Sequence, residues 1–324
     1  MVAAVRVHKY GGPEVLTYEE IDLPPPGPGE IRVRQTAIGV NYIDTYFRTG
    51  QYPAPQLPFI SGNEAAGVVA ALGQGVTGFK ERDRVAYVVT LGCYAAERNV
   101  PAAMAVKLPD GISDETAAAM MLKGLTVEYL LHRTYKVKAG DTILMHAAAG
   151  GVGLILCQWA KHIGATVIGT AGTEEKAELA KANGCDHVIL YRKEDFAARV
   201  SEITGGKKCA VVYDGVGKTT FEGSLNSLRP LGVLASFGSA SGPVEAFNLG
   251  ILGAKGSLFV TRPTLFTFIP NRTWLEEMAK NLFDVVASGS VKIAINHRAA
   301  LRDAADVHRS LEGRETTGAT ILTP

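Results

Sequence analysis

Cysteine is scarce in this chain: four residues in 324, at positions 93, 157, 185 and 209. No two stand in a CxxC spacing and no HExxH occurs, so the usual metal-ligand patterns are absent. Thiols this few and this scattered exclude a disulfide scaffold and read as free cysteines in a reducing cytosol. Charge of one sign is missing too. Thirty-three Lys and Arg stand against 32 Asp and Glu, a net charge of +1. This balance removes the whole-chain electrostatic case for a nucleic-acid or acidic-lipid binder. The opening, MVAAVRVHKYGGPE, turns polar too early for a secretory signal. The most apolar stretch, ILMHAAAGGVGLILCQWA, contains a glycine cluster, a His and a Gln, which argues against a membrane span. No repeat of fixed period and no low-complexity tract occurs.

What is present is ordinary globular material, 47% hydrophobic and 20% charged. A length of 324 residues suggests two domains at roughly 150 residues each. Residues 1 to about 120 read as β-rich. AAVRVHKY, EIRVRQTAIGV, GNEAAGVVAALG and DRVAYVVT are strand candidates, and prolines at 24, 25, 26, 28, 53, 55 and 58 make the connections irregular. This pattern suits a partly open β-barrel. The character then changes. SDETAAAMMLKG starts a helix capped by Ser113 or Asp114, and a second helix is expected from Thr126. From Asp141 apolar strands alternate with helices, ending in SLFVTRP, which implies a parallel, doubly wound sheet. Two further helices and the strand GATILTP form a tail expected to return to the first domain. The expected boundaries are 1–122 with 265–324, and 123–264.

The strongest local signal lies at residues 146–165, HAAAGGVGLILCQWAKHIGA. Ala148, Gly150 and Gly153 form AxGxxG, a variant of the dinucleotide fingerprint GxGxxG. Gly150 lets backbone approach a pyrophosphate, Gly153 lets the helix pack on its strand, and free N–H groups at the helix start hold phosphate charge. The motif joins a strand to a helix and opens a run of βα units, which favours a cofactor site over a glycine-rich turn that binds nothing. An NAD enzyme places an Asp or Glu at the end of the second strand to hold the ribose hydroxyls. Here that end reads Thr170, Ala171, Gly172. Lys176 follows on the next helix, and Tyr191 closes the neighbouring strand. A lysine and a tyrosine hydroxyl suit a 2′-phosphate that an acid would repel, which favours NADPH. A solvated helix lysine and a strand-end tyrosine remain the plain alternative. Glu174 and Glu175 count mildly against the phosphate unless they serve only the helix dipole.

Strings spread over nearly the whole chain resemble the zinc-independent quinone oxidoreductases, or ζ-crystallin-like proteins, of the medium-chain dehydrogenase/reductase superfamily. They are GGPEVL, IGVNYIDTYFRTGQYP, GNEAAGVV, LKGLTVEYLL, HAAAGGVG, ITGGKK, VVYDGVG, SFGSASG and GSLFVTRP. The resemblance implies a GroES-like catalytic domain and a Rossmann NADPH-binding domain with a cleft between them. Zinc-dependent relatives place a Cys ligand where this chain has Asn41 and a His where it has Asn63. Asparagine replaces thiolate or imidazole poorly at zinc, and Cys93 alone cannot supply a four-cysteine structural lobe.

The resemblance also implies a set of site residues. Tyr42, Ile43, Asp44 and Tyr46 line the cleft beside the nicotinamide, with Asn41 and Tyr52 as further polar lining. Lys123, Thr126 and, more weakly, Tyr129 approach the nicotinamide ribose or amide. Gly151 and Val152 meet the pyrophosphate, beside Gly150. Gly172, Thr173, Lys176 and Tyr191 surround the 2′-phosphate. Val216, Phe237, Gly238 and Ser239 follow two further strands, and Arg314 reaches in from the tail. Plainer roles stand beside several of these. Tyr46 and Tyr52 also fit as barrel-edge aromatics, Asp44 as a turn brace, and Arg48 as its ion-pair partner. His146 fits best as a buried, hydrogen-bonded histidine. No GxSxG or other nucleophile motif occurs.

The expected activity is reduction of quinones by NADPH without a metal, with Asn41, Tyr46 and Tyr52 donating hydrogen bonds to the quinone oxygens. The alternative is reduction of α,β-unsaturated carbonyls; a non-enzymatic crystallin-like or RNA-binding role fits the composition less well. The resemblance further implies a cytoplasmic homodimer paired through SLFVTRP, with neither membrane nor nucleic acid as partner.

Overall fold

A computed structural model describes all residues, 1–324, and divides them into two compact units. One comprises Met1–Leu125, Ile269–Ala287 and Ile293–Pro324; the other comprises Thr126–Phe268 and Ser288–Lys292. The first part of the chain is mostly strand: Val2–Val7 (β1), Leu16–Ile21 (β2), Glu30–Val40 (β3), Phe59–Ile60 (β4), Glu64–Leu72 (β5), Arg84–Val88 (β6), Glu97–Pro101 (β7) and Ala105–Lys107 (β8). Two helices accompany them, Tyr42–Thr49 (α1) and Asp114–Tyr129 (α2).

Strands and helices then alternate. They are Thr142–Met145 (β9), Gly151–Ile163 (α3), Thr166–Ala171 (β10), Glu174–Ala182 (α4), His187–Leu190 (β11) and Phe196–Ile203 (α5). Cys209–Asp214 (β12), Phe221–Asn226 (α6), Leu228–Ser236 (β13), Gly250–Ala254 (α7), Phe259–Thr261 (β14) and Leu265–Phe268 (α8) complete the series. The tail carries Arg272–Ala287 (α9), Ile295–Ala300 (β15), Ala304–Glu312 (α10) and Ala319–Thr323 (β16).

In the first unit a sheet runs β15-β16-β3-β5-β6-β8, with β7 paired to β3, beside a smaller sheet β2-β1-β4. β3 alternates buried and accessible side chains before it becomes wholly buried near Val40. Its inward face joins Val5, Val69, Val85, Tyr87, Val100 and Leu322 in one core, where each fully buried aliphatic side chain contributes about 1.5–3 kcal/mol. The tail returns as expected: β16 lies antiparallel to β3, with Thr320 opposite Val40.

In the second unit the order is β11-β10-β9-β12-β13-β14, every neighbouring pair parallel. This is the doubly wound dinucleotide order, with its switch point between β9 and β12.

One local expectation is corrected, and one helix is added. Residues 114–129 form one continuous helix with no break before Thr126. Gly124 is a packing residue there: a Cβ would lie 2.5 Å from a Leu282 methyl. The segment after β3 is a helix, α1, hidden in the sequence by its aromatic and β-branched residues. Its ends were nevertheless marked. Asn41 and Asp44 form a capping box, and Gly50 closes the helix at φ 80°.

Candidate active site

The end of β3 delivers the chain into α1 at Asn41, whose backbone N–H donates to Asp44 Oδ2 at 2.9 Å. One turn of helix then sets Tyr42 and Tyr46 side by side, with ring centroids 5.5 Å apart. Beyond Gly50 the chain doubles back, and the Tyr52 N–H donates to the Tyr46 carbonyl at 3.0 Å. The Tyr52 ring thereby sits 5.0 Å from Tyr46 and 5.8 Å from Phe47. Tyr42, Tyr46 and Tyr52 form one aromatic surface. Tyr42 and Tyr52 are half-buried, Tyr46 is buried, and the half-buried Ile43 packs on the core.

Beneath this surface lies a residue that the sequence reading did not single out. Glu64, the last letter of GNE, opens β5 with its side chain fully buried, and its Oε1 accepts from Lys123 Nζ at 2.8 Å. The same oxygen accepts from Asn41 Nδ2 at 2.7 Å, and Oε2 accepts from the Leu122 N–H at 2.6 Å. One carboxylate therefore fixes both the Asn41 amide and the Lys123 ammonium. Desolvating such a pair is offset only when its remaining valences are met, and here three donors meet them. Its position beside Asn63 was the only sequence hint.

Asp44 takes the plainer of its two roles, bracing the turn at the start of α1. Its side chain is fully buried, and Oδ2 accepts from Tyr94 Oη at 3.0 Å. Tyr94 Oη lies 3.0 Å from His308 Nε2, and His308 Nδ1 lies 3.1 Å from Arg48 Nη1. Arg48 does not pair with Asp44. It donates to the Gly11 carbonyl at 3.1 Å and forms an ion pair with Glu312 at 2.7 Å. Burial pushes the Asp44 carboxyl up to about 7, and burial together with Arg48 pulls His308 down to about 3. The network ties α1 to α10. Arg314 follows α10, exposed and at φ 59°. Burial and then Glu312 raise the Tyr42 hydroxyl, while Arg314 and Arg48 oppose them, so the tail's charges stand near Tyr42.

In the second unit β9 ends in a turn through Ala147, at φ 54°, into Gly150 as N-cap of α3. No side chain caps α3, so the N–H groups of its first turn, at Gly151, Val152 and Gly153, face outward for an anion. Gly153 is required for the close turn, because a Cβ there would lie 2.5 Å from the Ala147 carbonyl oxygen. At the end of β10, Gly172 precedes Thr173, whose hydroxyl caps α4 by accepting from the Lys176 N–H at 3.3 Å. Tyr191 stands 43% exposed beyond β11. A point one Cβ from Gly172 is 2.9 Å from Tyr191 Oη and 3.5 Å from Arg192 Nε. Arg192 thus adds a cation that the sequence reading missed; only its adjacency to Tyr191 signalled it. Glu174 is engaged by Lys193 at 2.9 Å. With no acid at the strand end, these residues fit a phosphorylated ribose.

His146 lies buried at the end of β9, 3.1 Å from Thr170 Oγ1 and 3.0 Å from Ser224 Oγ. Ser224 donates to Asp214 Oδ2 at 3.0 Å, while Asp214 Oδ1 accepts the Val216 and Gly217 N–H groups at 2.7 and 3.0 Å. The network braces the β9, β10 and β12 ends. Val216 is held from both sides, its carbonyl accepting from Ser241 Oγ at 2.8 Å. Phe237, Gly238 and Ser239 are half-buried beyond β13. Thr126 is buried on α2. Tyr129 is committed to the interior: it is 2% exposed and stacks on Phe268 at 4.8 Å.

Residues 27–137 match the alcohol dehydrogenase GroES-like domain, and residues 151–286 match the zinc-binding dehydrogenase family. The chain is 53% identical over 325 residues to a quinone oxidoreductase of Pseudomonas aeruginosa, covering 100% of both. The chain belongs to the zinc-independent quinone oxidoreductase family. It is also 48% identical to a 2-haloacrylate reductase of Burkholderia, covering 100% of this chain and 99% of that protein. The crystal structure of Escherichia coli quinone oxidoreductase complexed with NADPH superposes with a TM-score of 0.97 at 50% identity, covering 99% of this chain and 100% of that one. Against the zinc-binding description stands this chain's own chemistry. No three His, Cys, Asp or Glu side chains are arranged to hold a metal ion. No helix is long and apolar enough to cross a membrane.

Proposed function

We propose that this protein reduces quinones with NADPH and without a metal. The observation that carries the reading is the acid-free end of β10, where Tyr191 and Arg192 converge on Gly172 beside the uncapped start of α3. Bound there, NADPH supplies the reducing equivalents. Gly150 lets the backbone approach the pyrophosphate, Gly151 and Val152 hold it by backbone N–H groups, and Gly172, Thr173, Lys176, Tyr191 and Arg192 surround the 2′-phosphate. Asn41, Tyr46 and Tyr52 donate hydrogen bonds to quinone oxygens as negative charge develops. Glu64 keeps the Asn41 amide aimed, and the aromatic surface excludes water from the acceptor ring.

The experiment is the initial rate of NADPH oxidation with 1,4-benzoquinone, run beside NADH. A rate favouring NADPH is expected. Lys176→Ala should remove about 1.5–3 kcal/mol of that preference, the worth of a hydrogen bond to a charged group. Equal rates with both nucleotides would defeat the 2′-phosphate assignment. Unchanged kcat/KM in both Tyr52→Phe and Asn41→Ala would defeat the roles given to those side chains. The Burkholderia relative favours a second reading, reduction of activated alkenes; an acrylate and enone panel run beside the quinones separates the two.

The working form is a homodimer. Phe259, on the edge strand β14, is 58% exposed, and the strand's outer edge is free to pair with a second copy. Sedimentation at micromolar concentration should show a dimer, and Phe259→Lys should shift it toward monomer. The four cysteines are all free thiols, which supports a reducing, cytoplasmic setting, and the +1 net charge supports a reading without nucleic acid.

A further inference from the structure

Two of the four cysteines are not scattered in space. Cys157, on α3, and Cys185, just before β11, stand with sulfurs 3.3 Å apart, the Cys185 thiol donating to Cys157. Twenty-eight residues separate them in sequence. Backbone geometry makes the approach. Gly184 runs at φ 99°, and a Cβ there would lie 2.8 Å from the Cys157 carbonyl oxygen. Only a glycine lets this segment press directly on α3. The pair also lies directly under the cofactor turn. A Cβ at Gly169 of β10 would lie 2.7 Å from the Cys185 sulfur and 2.7 Å from the Ala148 methyl.

We infer that Cys157 and Cys185 form a dithiol site that a hydroperoxide closes to a disulfide beneath the AxGxxG turn. Cys185 is the more accessible, 6% exposed against 0% for Cys157, and reacts first. Its sulfur attacks a peroxide oxygen; the O–O bond breaks, leaving a sulfenic acid and, from hydrogen peroxide, water. The Cys157 sulfur then attacks the Cys185 sulfur. The S–S bond forms, the S–O bond breaks, and a second water leaves. Two electrons pass from the two sulfurs to the peroxide, and the two thiol protons leave in the water. The hydrogen bond with Cys185, and then burial, hold Cys157 well above the usual range, so the closure is slow at neutral pH and speeds as pH rises. Closing the sulfurs from 3.3 Å to about 2.05 Å draws Cys185 toward α3 and disturbs its packing on Gly169, which also packs against Ala148 of the turn. The expected loss of dinucleotide affinity rests on the cofactor reading above; the disulfide itself does not.

The test treats the intact protein with hydrogen peroxide at pH 7 and pH 9, traps remaining thiols, and maps peptides by mass. A 157–185 linked peptide lacking two hydrogens is expected, formed faster at pH 9, reversed by reductant, and absent from Cys157→Ser and Cys185→Ser. Cys93 and Cys209 serve as internal controls and should stay thiols. A folded protein whose Cys157 and Cys185 remain thiols, or whose Cys185 over-oxidises without linking, overturns the site. Separately, NADPH titration of the linked form should show weaker binding. Unchanged binding in a fully linked sample overturns the coupling to the turn and leaves the disulfide standing.

Discussion

Two buried side chains of the first unit, Asp44 and His308, respond to acid in opposite directions. Asp44 titrates at about 7 when folded, against its ordinary 3.8. The folded state keeps its proton longer than the unfolded chain does, so this contribution is full below 3.8 and lost as pH rises toward 7. His308 titrates at about 3 against 6.5. The folded state refuses a proton that the unfolded chain accepts, so its contribution is present above 6.5 and lost as pH falls toward 3. Across the shared window the slopes offset. Relative to the parent, Asp44→Asn should gain stability as pH rises from 3.8 to 6.5, and His308→Gln should lose it. Urea midpoints measured against pH check this; parallel curves for all three proteins would refute it. Glu64 gives a simpler outcome. Glu64→Ala leaves the Lys123 ammonium buried at 7% side-chain exposure, which should cost about 3–5 kcal/mol in urea unfolding.

Helix ends were the most readable features at the scale of elements. The start of α3 coincides with the AxGxxG string because a glycine-rich turn between an apolar strand and an apolar helix has few other solutions. α1 is equally marked by Asn41, Asp44 and Gly50, although YIDTYFR carries the aromatic residues that favour strands. The caps make graded predictions. Asp195 Oδ1 accepts the Ala197 and Ala198 N–H groups at 2.8 and 3.2 Å. Asp195→Ala should cost about 1 kcal/mol while leaving NADPH oxidation unchanged. Arg48→Ala removes the strap between α1 and α10, leaving Glu312 without its ion-pair partner and His308 held by Tyr94 alone. It should cost about 1.5–3 kcal/mol, the worth of a hydrogen bond to a charged group. A thermal or urea melt measures the effect.

For the whole molecule, the return of the tail matters most. β16 contributes Ile321 and Leu322, both fully buried, and supplies β3 with a partner along Ile38–Val40. Truncation after Gly318 removes these side chains, worth about 1.5–3 kcal/mol each, and opens an apolar edge on the larger sheet. The expected product is insoluble or aggregated, read by size exclusion against the full chain. A soluble, monodisperse truncation would show that the strand is dispensable.

The sequence by itself determined the β-rich first part, the alternation that yields a parallel sheet, and the strand–turn–helix junction for phosphate. Each is a local pattern of apolar period, glycine spacing and capping that one stretch of chain carries alone. It also showed what β10 lacks at its end, because an absent acid needs no partner to be seen. Only the tertiary structure decided the rest. Glu64 meets Asn41 and Lys123 across 23 and 59 residues, and Arg48 meets His308 across 260. The Cys157 and Cys185 sulfurs touch because Gly184 lets one segment press on a helix. These are buried polar and sulfur contacts whose partners are distant in sequence. No periodicity announces them, since a buried charge or thiol is chosen by the neighbour that satisfies it rather than by its own stretch of chain.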